Sequence, residues 1–344
     1  MRTQAVVMRE LGDESVLHLE DVELAAPGPG EVLLRVLAVA VNHLDLELRD
    51  GRSRMPLTFP HVLGRELVGE VVEVGDPAGS EWSAGDRVVL LPHVPCGRCR
   101  HCLTGSANIC LAGWMPGIHG WGGYARHVLA PVRGLRHVPD LPVEVLAALP
   151  ISFGTAWRAL HSAASVVTGD WVLVPGAGGG LGHASVQVAA LAGARVIGLV
   201  RSAAKADFVK ACGAEHVVLT DTDGWPDEVR GLTDGRGVDV VVEHVGGDSF
   251  EGCLAALAPR GTLVVAGGHG GEHPRLDVIE VFRNELRVHG VRSQRPDDVE
   301  RVLDLAAAGR LRPQVDQVFS LEQAADAHRR VASRQAVGKV VLVP

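Results

Sequence analysis

Four of the six cysteines fall in one run, Cys96-Gly-Arg-Cys99-Arg-His-Cys102 and then Cys110. The spacing is C-x2-C-x2-C-x7-C, inside a stretch rich in Gly, Pro, Arg and Asn. Four thiolates so close in sequence can wrap one Zn2+ tetrahedrally at about 2.3 Å each, which leaves no open position for substrate or water. A closed site of that kind is structural, because its binding energy orders a segment too small to hold itself together. A disulfide pair and an iron–sulfur centre are the rival readings. The chain opens with Met1-Arg2-Thr3-Gln4 and no apolar leader, which predicts a reducing, cytoplasmic location and argues against disulfides. Cys212 and Cys253 stand alone and read as ordinary buried residues.

A second cluster carries a different chemistry. An apolar strand, Trp171 to Val174, runs into Pro175-Gly-Ala-Gly-Gly-Gly-Leu-Gly182, then a helix from His183 through Leu191 and a second strand from Ala194 to Val200. Strand, glycine turn, helix and strand in that order form a dinucleotide-binding βαβ unit. Gly179, Gly180, Leu181 and Gly182 would let the backbone approach a pyrophosphate at a helix N-terminus, where free N–H groups and the dipole favour an anion. The plainer reading is a tight turn alone. The end of the second strand bears on the choice of cofactor, since an NAD site usually places a carboxylate there for the ribose 2′-OH. Here the residues are Arg201, Ser202 and Lys205, with no carboxylate until Asp207. Two cations and a hydroxyl suit a 2′-phosphate, so NADPH is predicted over NADH; the alternative is that both cations are merely solvated.

The bulk properties fit a soluble enzyme of two domains, with 344 residues and a net charge of −8. That acidic balance gives no reason to expect nucleic acid or an anionic membrane as partner, and points to a small-molecule substrate. The uncharged stretch from Trp171 to Ala194 is long enough to span a bilayer, but Pro175 and its run of glycines make that a poor reading.

These sites need elements to hold them. After residue 200 the pattern alternates: helix 203–211, strand 216–219, helix 226–232, strand 238–243, helix 250–257, strand 262–266, and a last strand 286–291. This is a doubly wound parallel sheet, whose ligand lies beyond the C-terminal ends of the strands. On that rule His244, Val245, Gly267 and Gly268 border the nicotinamide. Before residue 140, short β-rich pieces (31–39, 70–74, 87–91, 124–129) are divided by Gly and Pro, as in an irregular antiparallel β domain. Strands at 315–319 and 339–343, with a helix between them, are expected to return to that first domain.

With these residues assembled, the chain resembles the medium-chain dehydrogenase/reductase superfamily over nearly its whole length. The resemblance rests on the four-cysteine run, the glycine turn, Gly75, Gly85-Asp86-Arg87-Val88, Gly122-Gly123-Tyr124-Ala125 and the closing Gly338-Lys339. It implies a GroES-like irregular β-barrel domain over 1–142 and 313–344, with a zinc lobe at 92–113. It also implies a Rossmann domain over 143–312 and a cleft between the two. Thr155 and Lys339 are implied cofactor contacts, and a homodimer through the last Rossmann strand is expected.

Zinc alcohol dehydrogenases of that superfamily carry a second, catalytic zinc held by Cys, His and Cys. The first ligand position is Asn42 in Asn42-His43-Leu44-Asp45, the second is Arg65 in Gly64-Arg65-Glu66, and the third falls near Ile151. A guanidinium has no lone pair to give and would repel a dication, so the resemblance implies one structural zinc per chain and no catalytic zinc. The motifs around Asn42 and Thr155 resemble the quinone oxidoreductase and enoyl reductase branch. Candidate catalytic residues are Asn42 as a hydrogen-bonding group, His43 and Asp45 as a proton shuttle, and Arg65 as the cation for an enolate oxygen. Arg65 could equally be a structural filler. The expected activity is NADPH-dependent reduction of a quinone or an α,β-unsaturated carbonyl. The alternatives are an alcohol dehydrogenase with zinc rebuilt on His43, Asp45, His61 and Glu66, and a cofactor-binding protein without turnover.

Overall fold

The computed structural model describes residues 1–77, 80–220 and 224–344, and the chain divides into two compact units. The first comprises Met1–Ile151, Ser293–Ala308 and Pro313–Pro344; the second comprises Ser152–Arg292 and Gly309–Arg312. The expected domain boundary at 142/143 therefore lies within the first unit. The segment 293–308, assigned from sequence to the Rossmann domain, carries the helix Pro296–Ala307 and packs with the β-rich unit, with Arg136 Nε bound to Glu300 Oε1.

The first unit is built on Glu31–Val41, eleven residues long and almost wholly apolar. Register shifts between Leu33 and Leu34 and between Val36 and Ala38 bend this strand, as bulges do. The bend lets it serve several partners. Glu66–Val74 runs along one side, His127–Pro131 pairs with residues 31–35, and Lys339–Val343 pairs with residues 39–41. The pairings are antiparallel except Val315–Ser320 with Lys339–Val343, which is parallel. The return of both late strands to this unit is as expected. The piece expected as a strand from Tyr124 begins instead at His127, because Tyr124 bridges Val6 and Leu63 through its backbone.

The second unit is a six-stranded sheet in the order His216–Leu219, Arg195–Val200, Trp171–Val174, Val238–Glu243, Leu257–Val265 and Arg287–Gly290, every pair parallel. Its inner strands read as nearly continuous apolar runs because both faces are covered, while the edge strand Arg287–Gly290 is exposed. Leu173, Ile197, Val241 and Leu263 pack with Phe250 and Cys253 of the helix Asp248–Ala255. The strand after that helix starts earlier than expected, at Leu257, since Leu257 pairs with Val238 ahead of a register shift. Among the described residues no helix is long and apolar enough to cross a membrane.

Candidate active site

The cysteine lobe has almost no core of its own. Between Pro95 and Ala112 only Asn108 and Cys110 are buried, while Leu103 and Leu111 stand 73% and 83% exposed. Its neck is closed by a pair of backbone hydrogen bonds between Val94 and Trp114. The four sulfurs lie within 4.8 Å of one another. Separations of 3.9 Å for Cys96–Cys102, 3.5 Å for Cys99–Cys102 and 3.7 Å for Cys99–Cys110 bracket the edge of about 3.8 Å of a tetrahedron with 2.3 Å metal–sulfur bonds. The cysteines are not bridged. Backbone N–H groups of Arg98 and Cys99 stabilise the Cys96 thiolate and lower its pKa to about 6. The donor set, its spacing and the missing core all fit a structural zinc.

The second unit gathers most of the expected cofactor residues. The helix starts at Gly180, three residues before the expected His183, with Gly179 as its N-cap. A Cβ at Gly182 would collide with the Gly176 carbonyl, so the turn closes on the helix only because the position is glycine. His244 and Val245 face this turn: a Cβ on Gly176 would lie 3.3 Å from His244 Nε2 and 3.4 Å from Val245 Cγ2. Gly267 and Gly268 lie against the same segment, with the Gly267 Cβ position 3.0 Å from the His244 carbonyl oxygen. Glu243, wholly buried, accepts hydrogen bonds from the N–H groups of Val245 and Gly246, both at 2.9 Å. The signal for Glu243 in the sequence is a carboxylate that ends an apolar strand. Burial lowers the pKa of His244 to about 4, so at neutral pH it is an uncharged imidazole.

Lys205 folds its methylenes over the turn, with Cδ 2.7 Å from a Cβ placed on Gly178. Arg201 and Ser202 are exposed beyond the end of Arg195–Val200, and the Ser202 hydroxyl accepts from Ala204 N at 3.3 Å. Thr155 is buried in the short helix Ser152–Trp157. His183, in the first turn of the helix after the glycine turn, is wholly buried. Its ring meets Phe153 edge-on, and its Nδ1 is 2.9 Å from the Gly179 carbonyl oxygen.

In the first unit, strand register assembles the remaining candidates. Ala40 pairs with Glu66 and Val41 with Val340, so Glu66, Asn42 and Lys339 converge where the central strand ends. Lys339 Nζ donates to Val41 O at 3.2 Å and to Asn42 Oδ1 at 2.7 Å, and pairs with Glu66 Oε2 at 2.9 Å. An ammonium has three N–H groups, and these three acceptors engage them all. Lys339, expected as a cofactor contact, makes all three of these bonds within the first unit. Asn42 Nδ2 donates to Ala40 O and to Glu66 Oε2, so its amide is a link in this cluster.

Asn42 also starts the helix His43–Asp50, where its backbone N–H is bonded at 2.8 Å to Asp45 Oδ2. Asp45 is wholly buried, and its Oδ1 takes no hydrogen bond among the described residues. Burial raises its pKa to about 6, with Glu66 adding to the shift and Asn42 N–H, Arg65 and Lys339 opposing it. His43, the other half of the expected shuttle, is exposed. Arg65 is half-buried, with NH2 donating to Pro92 O at 3.3 Å and to Met115 Sδ at 3.6 Å.

The residue before Arg65 is Gly64, at φ +105° with the Tyr124 ring and the Gly123 N–H where a Cβ would stand. Tyr124 OH is 3.0 Å from His328 Nε2, and Arg49 NH1 is 3.1 Å from His328 Nδ1. Arginine only donates, so Nδ1 accepts and the neutral ring carries its proton on Nε2. Burial, with the Arg49 charge second, lowers the His328 pKa to about 3. Sequence carried no signal for this buried chain.

None of Asn42, Arg65 and Ile151 offers a thiolate or imidazole to a catalytic metal. Among the residues proposed to rebuild such a site, Glu66 is tied by Lys339, Asn42 and Ile151 N, and His61 Nε2 lies 3.0 Å from the Gly117 carbonyl oxygen. Among the described residues the four cysteines form the one group of metal-ligating side chains close enough to share an ion.

Two family models match the chain: an alcohol dehydrogenase GroES-like domain over residues 28–140 and a zinc-binding dehydrogenase over residues 180–308. The 2-haloacrylate reductase of a Burkholderia species is 32% identical, over 99% of this chain and 98% of its own. The chain belongs to the medium-chain dehydrogenase/reductase superfamily. The NAD-dependent alcohol dehydrogenase of Sulfolobus acidocaldarius is also 32% identical, over 98% of this chain and 99% of its own. A crystal structure of an NAD-dependent alcohol dehydrogenase superposes with a TM-score of 0.95 at 40% identity, covering 99% of each chain. This member of the superfamily is an NAD(P)H-dependent oxidoreductase with the two-domain fold of its relatives.

Proposed function

We propose that this oxidoreductase uses NADPH to reduce an electron-poor C=C or quinone, with one structural zinc and no catalytic zinc. The observation that carries the reading is the cluster at the end of the central strand, where Asn42 and Glu66 are bound to Lys339. The O–H of an alcohol is a very weak acid, and in zinc alcohol dehydrogenases a Lewis acid lowers its pKa for hydride removal. An α,β-unsaturated carbonyl is already electrophilic. A relative named for reducing 2-haloacrylate supports that substrate class.

The cofactor, when bound, supplies the hydride. Addition at the β-carbon breaks the C=C π bond and moves charge to the carbonyl oxygen, and a proton at the α-carbon completes the reduction. Arg65, charged at every working pH, stabilises that oxygen. Asp45 is the proton source, since burial raises its carboxyl to about 6 and a minor fraction keeps its proton as the pH approaches neutrality. Zinc content together with NADPH oxidation over a panel of enones, acrylates and quinones tests the reading. One zinc per chain with turnover is the expected result; a second tightly held zinc with alcohol oxidation would overturn it.

NADPH preference rests on Arg201, Ser202 and Lys205 following the second strand. The double substitution Arg201→Ala, Lys205→Ala is expected to weaken NADPH binding by about 100-fold or more, since charge-assisted contacts contribute about 1.5–3 kcal/mol each, while NADH binding changes little. Equal losses in titrations with the two cofactors would contradict the assignment.

The proposed assembly is a homodimer. Arg287–Gly290 is the edge strand of its sheet, and Val278, Phe282 and Val288 beside it are 65%, 63% and 45% exposed. An apolar edge of that kind is matched by a two-fold copy of itself. Sedimentation as a monomer at micromolar concentration would contradict this.

A further inference from the structure

A row of buried polar groups in the first unit runs in one direction only. It starts at Arg49, which is 5% exposed, pairs with Glu14 Oε1 at 3.1 Å and donates from Nε to Gly12 O. A guanidinium has no acceptor, so the 3.1 Å contact from NH1 makes His328 Nδ1 the acceptor and leaves the ring proton on Nε2. Nε2 therefore donates to the Tyr124 hydroxyl oxygen, 3.0 Å away. That bond occupies a lone pair of the hydroxyl and leaves its own proton to be placed. Tyr124 is fully buried, so the proton needs an acceptor inside the protein. The row bends back on the helix it came from. Asp45 lies four residues before Arg49 in the helix His43–Asp50, so the two share one face with Cβ atoms about 6 Å apart. Asp45 is fully buried, its Oδ2 takes the Asn42 N–H, and its Oδ1 takes no hydrogen bond among the described residues. Burial raises the Tyr124 pKa and the Asp45 charge adds to the rise, so the two groups lie within electrostatic reach. One buried donor and one buried acceptor remain to be matched.

We propose that Tyr124 is a positioning residue for Asp45, its hydroxyl donating to Asp45 Oδ1 across one water or a small side-chain shift, so that Arg49, His328, Tyr124 and Asp45 form one hydrogen-bonded chain. The chain is not a proton wire, since its far end is a guanidinium that keeps its protons. With the Asn42 N–H on Oδ2 and Tyr124 on Oδ1, it fixes the plane of the carboxyl. The same ring packs under Gly64, the residue before Arg65, where a Cβ would stand 2.6 Å from Tyr124 Cδ1. Tyr124 thus supports the proposed proton source and the segment that carries the proposed enolate cation. The consequence for turnover rests on the reading of Asp45 as proton source; the chain itself does not depend on the substrate.

Tyr124 is the one tyrosine of the chain, so tyrosine spectroscopy of the full-length protein reports on it alone. Ultraviolet resonance Raman gives a tyrosine doublet whose intensity ratio separates a hydroxyl that only accepts, only donates or does both. The wild-type ratio should be that of a hydroxyl doing both. Asp45→Ala removes the acceptor and should move the ratio to accepting only. His328→Leu should move it to donating only, and His328→Gln, whose amide can accept from Arg49 and donate to Tyr124, should restore it. An accepting-only ratio in wild type would overturn the proposal, and so would a ratio that Asp45→Ala leaves unchanged. The first of these readings needs no variant, so a substitution that prevents folding does not remove the test. In turnover, Tyr124→Phe should lower kcat about tenfold, the order of one lost hydrogen bond, with NADPH Kd within about twofold. A lower Tm at unchanged kcat would make the tyrosine a packing residue and overturn the positioning role. If wild type turns over none of the proposed substrates, the functional reading fails alone, because the Raman ratios still decide whether the chain reaches Asp45.

Discussion

The cysteine lobe and the Asn42–Glu66–Lys339 cluster belong to one unit, and the cluster lies beside Asn42 and Ile151, two positions where zinc alcohol dehydrogenases place catalytic ligands. They show opposite solutions to the same problem. In the lobe, four thiolates converge within 4.8 Å of one another, and little else is buried. In the pocket, the groups that converge satisfy one another, with an ammonium and a carboxylate 2.9 Å apart at the centre. A site that leaves its donors facing each other needs an ion from outside. A site that pairs its charges internally does not, and a dication would first have to displace the cation already there.

Removing a lobe ligand is the most severe way to probe that contrast. Cys99→Ser leaves three thiolates around a segment without a core, so zinc should be lost and the lobe should unfold. Metal analysis and protease sensitivity at residues 95–112 give the readout. Full retention of zinc with unchanged stability would show that the lobe holds itself.

How much of this was legible in the sequence follows from the same contrast. The lobe depends on one residue type at short spacing, so its chemistry could be read directly from Cys96 to Cys110. The glycine turn was legible for a similar reason: Gly182 is needed by backbone contacts within a few residues of itself. The parallel sheet of the second unit follows from alternating strands and helices, whereas the helix Pro296–Ala307 packs with the other unit and lies outside that alternation. The pocket was legible only in part. Asn42, Arg65 and Ile151 could be recognised as poor ligands one at a time. That Lys339 joins Asn42 across 297 positions of sequence depends on the register of Val340 against Val41, which no local pattern records. The buried chain from Tyr124 through His328 to Arg49 was hidden for the same reason.

Arg65 sharpens the comparison on the catalytic side. If its guanidinium stabilises developing negative charge, Arg65→Ala should lower kcat by about 100-fold with NADPH affinity nearly unchanged. Arg65→His should not recruit a second zinc, because Asn42 and Ile151 still offer no strong ligand. Intact turnover with a lower Tm would make Arg65 a structural replacement for the metal.

Asp45 gives the smallest effect and the most direct view of the pocket's electrostatics. Burial raises its carboxyl from 3.8 to about 6; the Asn42 N–H, Arg65 and Lys339 oppose the rise, and Glu66 adds to it. A proton donor acts only while protonated, so kcat should be level below about pH 6 and fall about tenfold per unit above it. Asp45→Asn should flatten that profile at a lower rate. Stability supplies an independent reading with its own sign. A carboxyl whose pKa is higher folded than unfolded binds its proton more tightly in the folded state, so its contribution is fully present below about pH 4 and is lost as pH rises through about 6. The wild-type Tm should therefore carry a downward step across that window which Asp45→Asn lacks. Identical pH dependence of Tm in the two proteins would mean that Asp45 is ionised throughout, and the proton for the α-carbon would have to come from another group.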